Sequence, residues 1–397
     1  MSQWSVRSAT EDDRMSMLRL DATSFGVHTP PESQPPWKVM AADEGSVVVT
    51  DGDDVIGTAL YLDLEMTVPG GARLPVAGVS AVAVAPTHRR RGVLRALYTE
   101  LHQRIADAGY PIAGLTASEG GIYGRFEYGP ATVERSLSVQ RRFAVFHDDA
   151  PDVGGVRLIA AGEHRDQMME IYERWRLRTP GGLACPPALW DDLLADREAD
   201  RNGGSAWYAL LHPDGCALYR VHRGDSMEVR VEAMTAVTPQ AHAALWRTLL
   251  GLDLMEKVHI DTHPADPLPY LLVDSRQVRT TAQVDALWLR IMDIPAALQA
   301  RTYLADVHVV IDVVDRFRRD GGRFAVDITG GHAQCVPTDA PFDLQMNLDV
   351  LGSIYLGTHT VRELAAANRI RCATAELLMP TDLAFGSAVP AELGFHF

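Results

Sequence analysis

The chain has 397 residues, of which 47% are hydrophobic and 22% charged, with 37 lysines and arginines against 52 aspartates and glutamates. That length exceeds one ordinary core and suits two or three domains, while the lack of a bilayer-length apolar run or a basic-then-apolar leader predicts a soluble cytoplasmic protein without a transmembrane segment. The net charge of −15 argues against nucleic acid as a partner, and it either serves solubility or, where carboxylates gather at a cleft, attracts a cationic ligand.

A helical pattern runs from Asp12 to Phe25, followed by strands around Ser46 to Val49 and Val55 to Leu64, separated by the turn-forming Asp51 and Gly52. Val79, Ala81, Ala83 and Ala85 then alternate with Ser80, Val82 and Val84 in a short apolar run, and Pro86 ends it by removing a backbone donor. From Gly92 onward, Leu94, Leu97, Leu101, Ile105 and Ala108 recur at steps of three or four, the period of one helix face, and Gly109 supplies the stop. The order is strand, basic loop, helix. Arg89, Arg90, Arg91 and Gly92 stand where the helix begins, and free N–H groups, a positive dipole end and guanidinium forks together favour a phosphate anion there, best a pyrophosphate. Tyr110 to Ala117 reads as a further strand, and Ser118 with Glu119 makes a helix start that places Tyr123 in its first turns.

Residues 147–155 are polar and contain glycine, as a linker does. Helix patterns follow around Arg165 to Arg178 and Pro187 to Asp196, then a hairpin in which 212–215 join two apolar runs. Glu232 to Asp261 repeats the strand, helix, strand order of the first part, but Gln240, Ala241, His242 and Ala243 stand where the arginine loop was, so this second copy is expected to have lost cofactor binding. His259, Asp261 and His263 alternate as ligands on one strand face would, yet no further ligand has a suggestive spacing, and a polar strand face without metal is the better reading. From about Ile291 the pattern changes to paired strands over 321–338 and two helix patterns over 344–358 and 360–370, a small α+β unit. Cys185, Cys216, Cys335 and Cys372 lie far apart with no paired spacing, so neither a zinc cluster nor a disulfide framework is expected, and they read as buried apolar filler.

Arg89, Gly92 and Leu94 occupy the loop pattern of the GNAT N-acetyltransferases (Gln/Arg, two residues, Gly, one residue, Gly/Ala), with leucine in the last, normally small, position. The longer stretches VAVAPTHRRRG, ELHQRIADAGYP and ASEGGIYGRFEYGPAT, together with LWLRIM and a terminal Phe, resemble the Eis (enhanced intracellular survival) family of acetyltransferases, and the resemblance covers the whole chain. It implies an α/β (α+β) architecture: a GNAT acetyl-CoA-binding domain over 1–148, a degenerate GNAT-like domain over 149–290 and a sterol-carrier-like domain over 291–397. It also implies acetyl-CoA as the donor, held by Arg90, Arg91, Gly92, Val93, Leu94 and Arg95, with Ser118 and Glu119 as a second contact and no metal.

Acetyl transfer to an amine needs a neutral amine, stabilisation of an oxyanion, and a proton for the departing thiolate. The resemblance assigns the oxyanion to backbone N–H groups of Val82, Ala83 and Val84, the proton to Tyr123 and the base to the C-terminal carboxylate of Phe397. Phe25, Trp37 and His396 are expected to wall the amine pocket. By their own surroundings in sequence, Tyr123 reads better as a surface or packing tyrosine and Phe397 as a fraying terminus, and only the resemblance raises them to catalytic roles. The family further implies a homo-hexamer and acceptors that are aminoglycosides, modified at several amines, or protein lysines. A reading of another class is a lipid or acyl carrier in which CoA only regulates.

Overall fold

The computed structural model describes residues 4–26, 39–42 and 44–397, and contacts divide the chain into two units. One holds the chain up to Thr132 together with Ala286–Ala388 and Phe395–Phe397, and the other holds Val133–Asp285 with Val389–Gly394.

In the first unit, strand β1 (Trp4–Ser8) leads into helix α1 (Arg14–Phe25), then β2 (Val47–Asp51), β3 (Asp54–Thr67), β4 (Arg73–Val84), helix α2 (Val93–Asp107), β5 (Ile112–Thr116), the short α3 (Gly120–Tyr123) and β6 (Gly129–Pro130). The stripe that predicted α2 is its buried face: Val93, Leu97, Leu101 and Ile105 are at most 1% exposed and pack with Val47, Val49 and Ile56 of the sheet. Leu94 lies at the edge of that core, only partly buried.

The second unit contains β7 (Val133–Gln140), β8 (Arg157–Ile159), α4 (Arg165–Arg176), α5 (Pro187–Leu194), β9 (Tyr208–His212), β10 (Gly215–Arg223), β11 (Met227–Ala236), α6 (Pro239–Leu250), β12 (Lys257–Thr262), α7 (Leu268–Leu271) and β13 (Val278–Asp285). Its seven strands run in the order β13-β7-β12-β11-β10-β9-β8. β11 and β12 are parallel and joined through α6, as β4 and β5 are parallel and joined through α2, which is the internal repeat read from sequence. The segment Val389–Gly394 returns to this unit, where Glu392 N–H donates to Pro180 O at 2.9 Å. Burial pushes the Glu392 carboxyl up to about 8, with Asp266 and Glu134 adding to it.

Because that value lies above the ordinary 4.5 of an unfolded Glu, the stability Glu392 contributes is complete below about pH 4.5 and is lost as pH rises through 8. Glu392→Gln is therefore expected to gain on the parent between pH 5 and pH 8 in thermal melts. A difference between the two proteins that is constant over that range would show that Glu392 does not titrate there.

The chain then re-enters the first unit as β14 (Leu287–Ile291), α8 (Ile294–Ala300), β15 (Val307–Val314), β16 (Gly322–Thr329), β17 (His332–Pro337), β18 (Leu344–Asn347), α9 (Leu348–Ile354), α10 (Val361–Ala366), β19 (Ile370–Cys372) and α11 (Leu378–Phe385). The strands form a seven-stranded sheet, β1-β2-β3-β4-β5-β14-β6, and a five-stranded one, β17-β16-β15-β18-β19.

Three expectations need correction. The sheets do not follow the spans 1–148, 149–290 and 291–397: β7 lies in the second unit's sheet and β14 in the first. Every residue of β14 is buried, and a strand covered on both faces belongs inside a sheet, here between β5 and β6. Residues 344–347 form a strand and not the start of a helix. Leu344 and Met346 are buried at a period of two, and the apolar run continues directly into α9, which hid the change of period. Cys216 and Cys335 are buried, whereas Cys185 and Cys372 are only half-buried, and all four are free thiols. Among the described residues no helix is long and apolar enough to cross a membrane.

Candidate active site

β4 pairs with β3 along nearly its whole length, but its parallel pairing with β5 covers only Val76↔Ile112, Ala77↔Ala113 and Gly78↔Gly114. Beyond Gly78 the two strands part, although β4 runs on to Val84 and β5 to Thr116. A bulge marks the parting: the β3–β4 register shifts between Thr58 and Leu60, and Ala81 takes a φ of 51°. Past it, Ala85 N–H donates to Ile56 O at 2.8 Å and Ala83 faces Thr58. Alternation along the strand then turns the Ala83 N–H toward β3 and the Val82 and Val84 N–H groups toward the open edge. Ala83 is thus a correction to the expected trio, since its donor serves the β3 ladder.

A cavity of about 240 Å³ lies in this gap, lined by 79–82 of β4, 115–118 at the end of β5, Phe25, Tyr98 and Tyr123, and by His396 and Phe397 from the chain's end. Tyr123 closes α3 and is 6% exposed. Burial raises its phenol above the usual value, a hydrogen bond with Ser118 opposes this, and Glu119 adds to it, so Tyr123 carries its proton at neutral pH.

Thr116 Oγ1 donates to Phe397 O at 3.0 Å, which holds that residue's backbone in the gap. The Phe397 ring lies against Gly78, where a Cβ would stand 2.9 Å from Phe397 Cε2 and 2.4 Å from Leu64 Cδ1. The terminus is therefore seated, and the last β4–β5 pair is a glycine because a side chain there has no room. His396, although exposed, and Phe25, 46% exposed, line the cavity. Trp37 lies outside the described residues.

Just past this same end of β4, a single 3-10 turn (Pro86–His88) leads to a tight approach in which Arg90 has φ 62° and Gly92 φ 95°. Gly92 is the N-cap of α2 and supplies no side-chain cap, so the N–H groups of Val93, Leu94 and Arg95 open the helix uncapped by a side chain, as a phosphate site requires. The side chains of Arg89, Arg90 and Arg91 are exposed and make no ion pair among the described residues. The Arg95 guanidinium instead lies 5.2 Å from the Phe317 ring centroid, and Val93 is buried in the core, so these two can offer their N–H groups rather than their side chains. Leu94 packs at the core edge, which accommodates leucine where the pattern has a small residue. Glu119 is exposed and does not line the cavity.

The matching helix of the second unit starts differently. Thr238 caps α6 by accepting from Ala241 N–H at 3.2 Å, and Pro239 has no N–H to offer. The alternating trio there also disperses: His259 Nε2 pairs with Glu228 Oε2 at 3.1 Å, Asp261 pairs with Arg230 at 3.0 Å, and His263 lies beyond the end of β12. No cluster of three or more His, Cys, Asp or Glu among the described residues is arranged to hold a metal.

Three site residues were missed in sequence. Thr116 and Gly78 become visible only through the parting of β4 and β5. Tyr98 stands on the buried α2 face next to Leu97, where periodicity speaks only of packing.

Comparison with known proteins agrees with this geometry. Residues 5–131 and 181–291 each match an acetyltransferase (GNAT) domain, and residues 294–391 match a sterol carrier protein domain. N-acetyltransferase Eis of Mycobacterium tuberculosis and of Mycobacterium bovis is 54% identical to this chain over 98% of both. An uncharacterised N-acetyltransferase of Streptomyces avermitilis is 35% identical over 94% of both. The structure of Eis1 from Mycobacterium abscessus superposes with a TM-score of 0.88 at 30% identity, covering 99% of this chain and 100% of that one. A GCN5-related N-acetyltransferase from Kribbella flavida does so with 0.79 at 26% identity, covering 100% and 98%.

Proposed function

The chain belongs to the Eis family of N-acetyltransferases, and on that footing we propose that it transfers the acetyl group of acetyl-CoA to primary amines of aminoglycosides, at several positions of one molecule, by direct attack of the amine on the thioester. The observation that carries this reading is Phe397 O, held by Thr116 Oγ1, in the same cavity as a protonated, buried Tyr123, and the base is proposed to be the terminal carboxylate of Phe397. An amine of pKa near 10 costs about 4 kcal/mol to deprotonate at pH 7, and a carboxylate at the mouth of the cavity takes that proton. Val82 and Val84 N–H groups meet the thioester oxygen, Tyr123 protonates the departing thiolate, and the α2 N-terminus with Arg89, Arg90 and Arg91 holds the pyrophosphate of CoA. The assembly is proposed to be a homo-hexamer.

Tyr123→Phe is expected to lower kcat by about two to four orders of magnitude while the Kd for acetyl-CoA stays near that of the parent. Unchanged turnover would remove Tyr123 from the mechanism. The acceptor is tested by mass spectrometry of a multi-amine aminoglycoside after incubation with enzyme and acetyl-CoA, where two or more added acetyl groups are expected. An unmodified aminoglycoside beside an acetylated lysine peptide would move the acceptor to protein.

A further inference from the structure

Tyr98 stands on the inner face of α2, is 0% exposed, and lines the cavity that holds Tyr123 and Phe397. Its ring is held on several sides: it stacks on Phe126 at a centroid distance of 4.1 Å and meets His102, Tyr128 and Tyr123 edge-on at 5.3, 6.1 and 6.3 Å. Its hydroxyl, though enclosed, has no hydrogen-bond partner among the described residues. Tyr128 next to it is different, because its hydroxyl pairs with His102 Nε2 at 3.0 Å. An enclosed hydroxyl without a partner destabilises the fold, and phenylalanine would fill the same volume without that cost. Packing therefore does not explain the oxygen. Burial pushes the phenol far above its usual value, Tyr128 and Tyr123 adding to this, so the group is a neutral O–H donor at every working pH.

We infer that Tyr98 is a third hydrogen-bond donor of the acyl-transfer centre, giving its O–H to the thioester oxygen as that oxygen becomes negative, beside the backbone donors of the parted strand. The inference rests on the acetyl-transfer reading above. In that step the amine nitrogen forms the bond to the carbonyl carbon and the C=O pair moves onto oxygen. The pair then returns to expel the thiolate, and the thiolate takes its proton from Tyr123. Tyr98 keeps its own proton throughout. The assignment follows by elimination among the reacting atoms: the thiolate has Tyr123, the amine has the carboxylate, and only the carbonyl oxygen is an acceptor without a side-chain donor. A buried phenol that stays protonated can donate a hydrogen bond to an oxyanion and keep its proton.

The test is Tyr98→Phe, with kinetics and melting measured on the same preparation. The loss of one oxyanion donor is expected to lower kcat by about 10²- to 10³-fold, with KM for acetyl-CoA within about twofold and the shape of the pH profile unchanged. The melting temperature of the ligand-free protein is expected to equal or exceed that of the parent, since the variant deletes an unsatisfied group. Unchanged kcat overturns the inference, and so does a lower melting temperature with activity lost only in proportion to unfolded protein. A parent that acetylates neither an aminoglycoside nor a lysine peptide overturns the acetyl-transfer reading and this inference with it. An active parent whose Tyr98→Phe form is equally active sinks Tyr98 alone.

Discussion

Extending the chain by a short peptide beyond Phe397 is expected to lower kcat at pH 7 by about two to four orders of magnitude, with acetyl-CoA binding retained. The extension turns the terminal carboxylate into a neutral amide carbonyl at the position where Thr116 Oγ1 now donates to it. It also asks for space beside a ring that already lies close to Gly78. The two effects separate with pH. Near pH 10 about half of an ordinary primary amine is already neutral, so the loss of a base matters less and the gap between extended and parent enzymes should narrow. A gap that stays constant from pH 7 to pH 10 would point to obstruction instead. Gly78→Ala provides the steric control: it displaces the Phe397 ring while leaving the carboxylate chemically intact, so it should cost activity without reproducing that pH dependence. Full activity of the extended chain at pH 7 would sink the carboxylate as base.

Much of the strand, loop and helix proposed to hold the cofactor was legible in sequence because it is local. A strand, a short arginine-rich loop and a helix opening on glycine occupy 79–107, and each of those signals acts over a few residues. The chemistry end was not legible by such means, because it is assembled from segments far apart in the chain: Thr116 and Phe397 are separated by 281 positions. Nothing in the spacing of GFHF says that the terminus is seated; only the family resemblance suggested it. The same limit explains the strand exchange. Leu287–Ile291 is one buried strand, but which sheet buries it depends on pairing with Ile112–Thr116, a contact that periodicity does not address. At α6, where the arginine loop is missing from the sequence, Thr238 caps the helix start and Pro239 has no N–H to offer an anion.

The largest expected effect on stability comes from Arg290 and Asp315. Arg290, on β14 between β5 and β6, has a side chain 1% exposed, the Asp315 side chain is 0% exposed, and the two pair at 2.6 Å. Arg290 also donates to Phe126 O at 3.1 Å, and Asp315 Oδ1 accepts from the N–H groups of Phe317 and Arg318 at 2.9 and 3.0 Å. Burial by itself would raise the Asp315 carboxyl, but the Arg290 charge and these donors outweigh it and hold the carboxyl below its usual value. Asp315→Ala is expected to cost about 3–5 kcal/mol, because it strands a guanidinium in the interior. Arg290→Met should cost about as much, whereas Arg290→Met with Asp315→Leu together should recover a large part of the loss, since the apolar pair needs no desolvation of charge. The sign with pH follows from a depressed folded value: the contribution is complete above the unfolded carboxylate pKa of about 4 and disappears as pH falls through the lower folded one, so the double variant should lose less stability in acid than the parent. The pair also reaches the site. Phe126, whose carbonyl Arg290 holds, stacks under Tyr98 and follows Tyr123 by three residues. The single variants should therefore lose kcat at temperatures where they remain folded. Chemical denaturation of all four proteins measures the coupling, and single losses below about 1 kcal/mol would mean that water, not Arg290, balances the Asp315 charge.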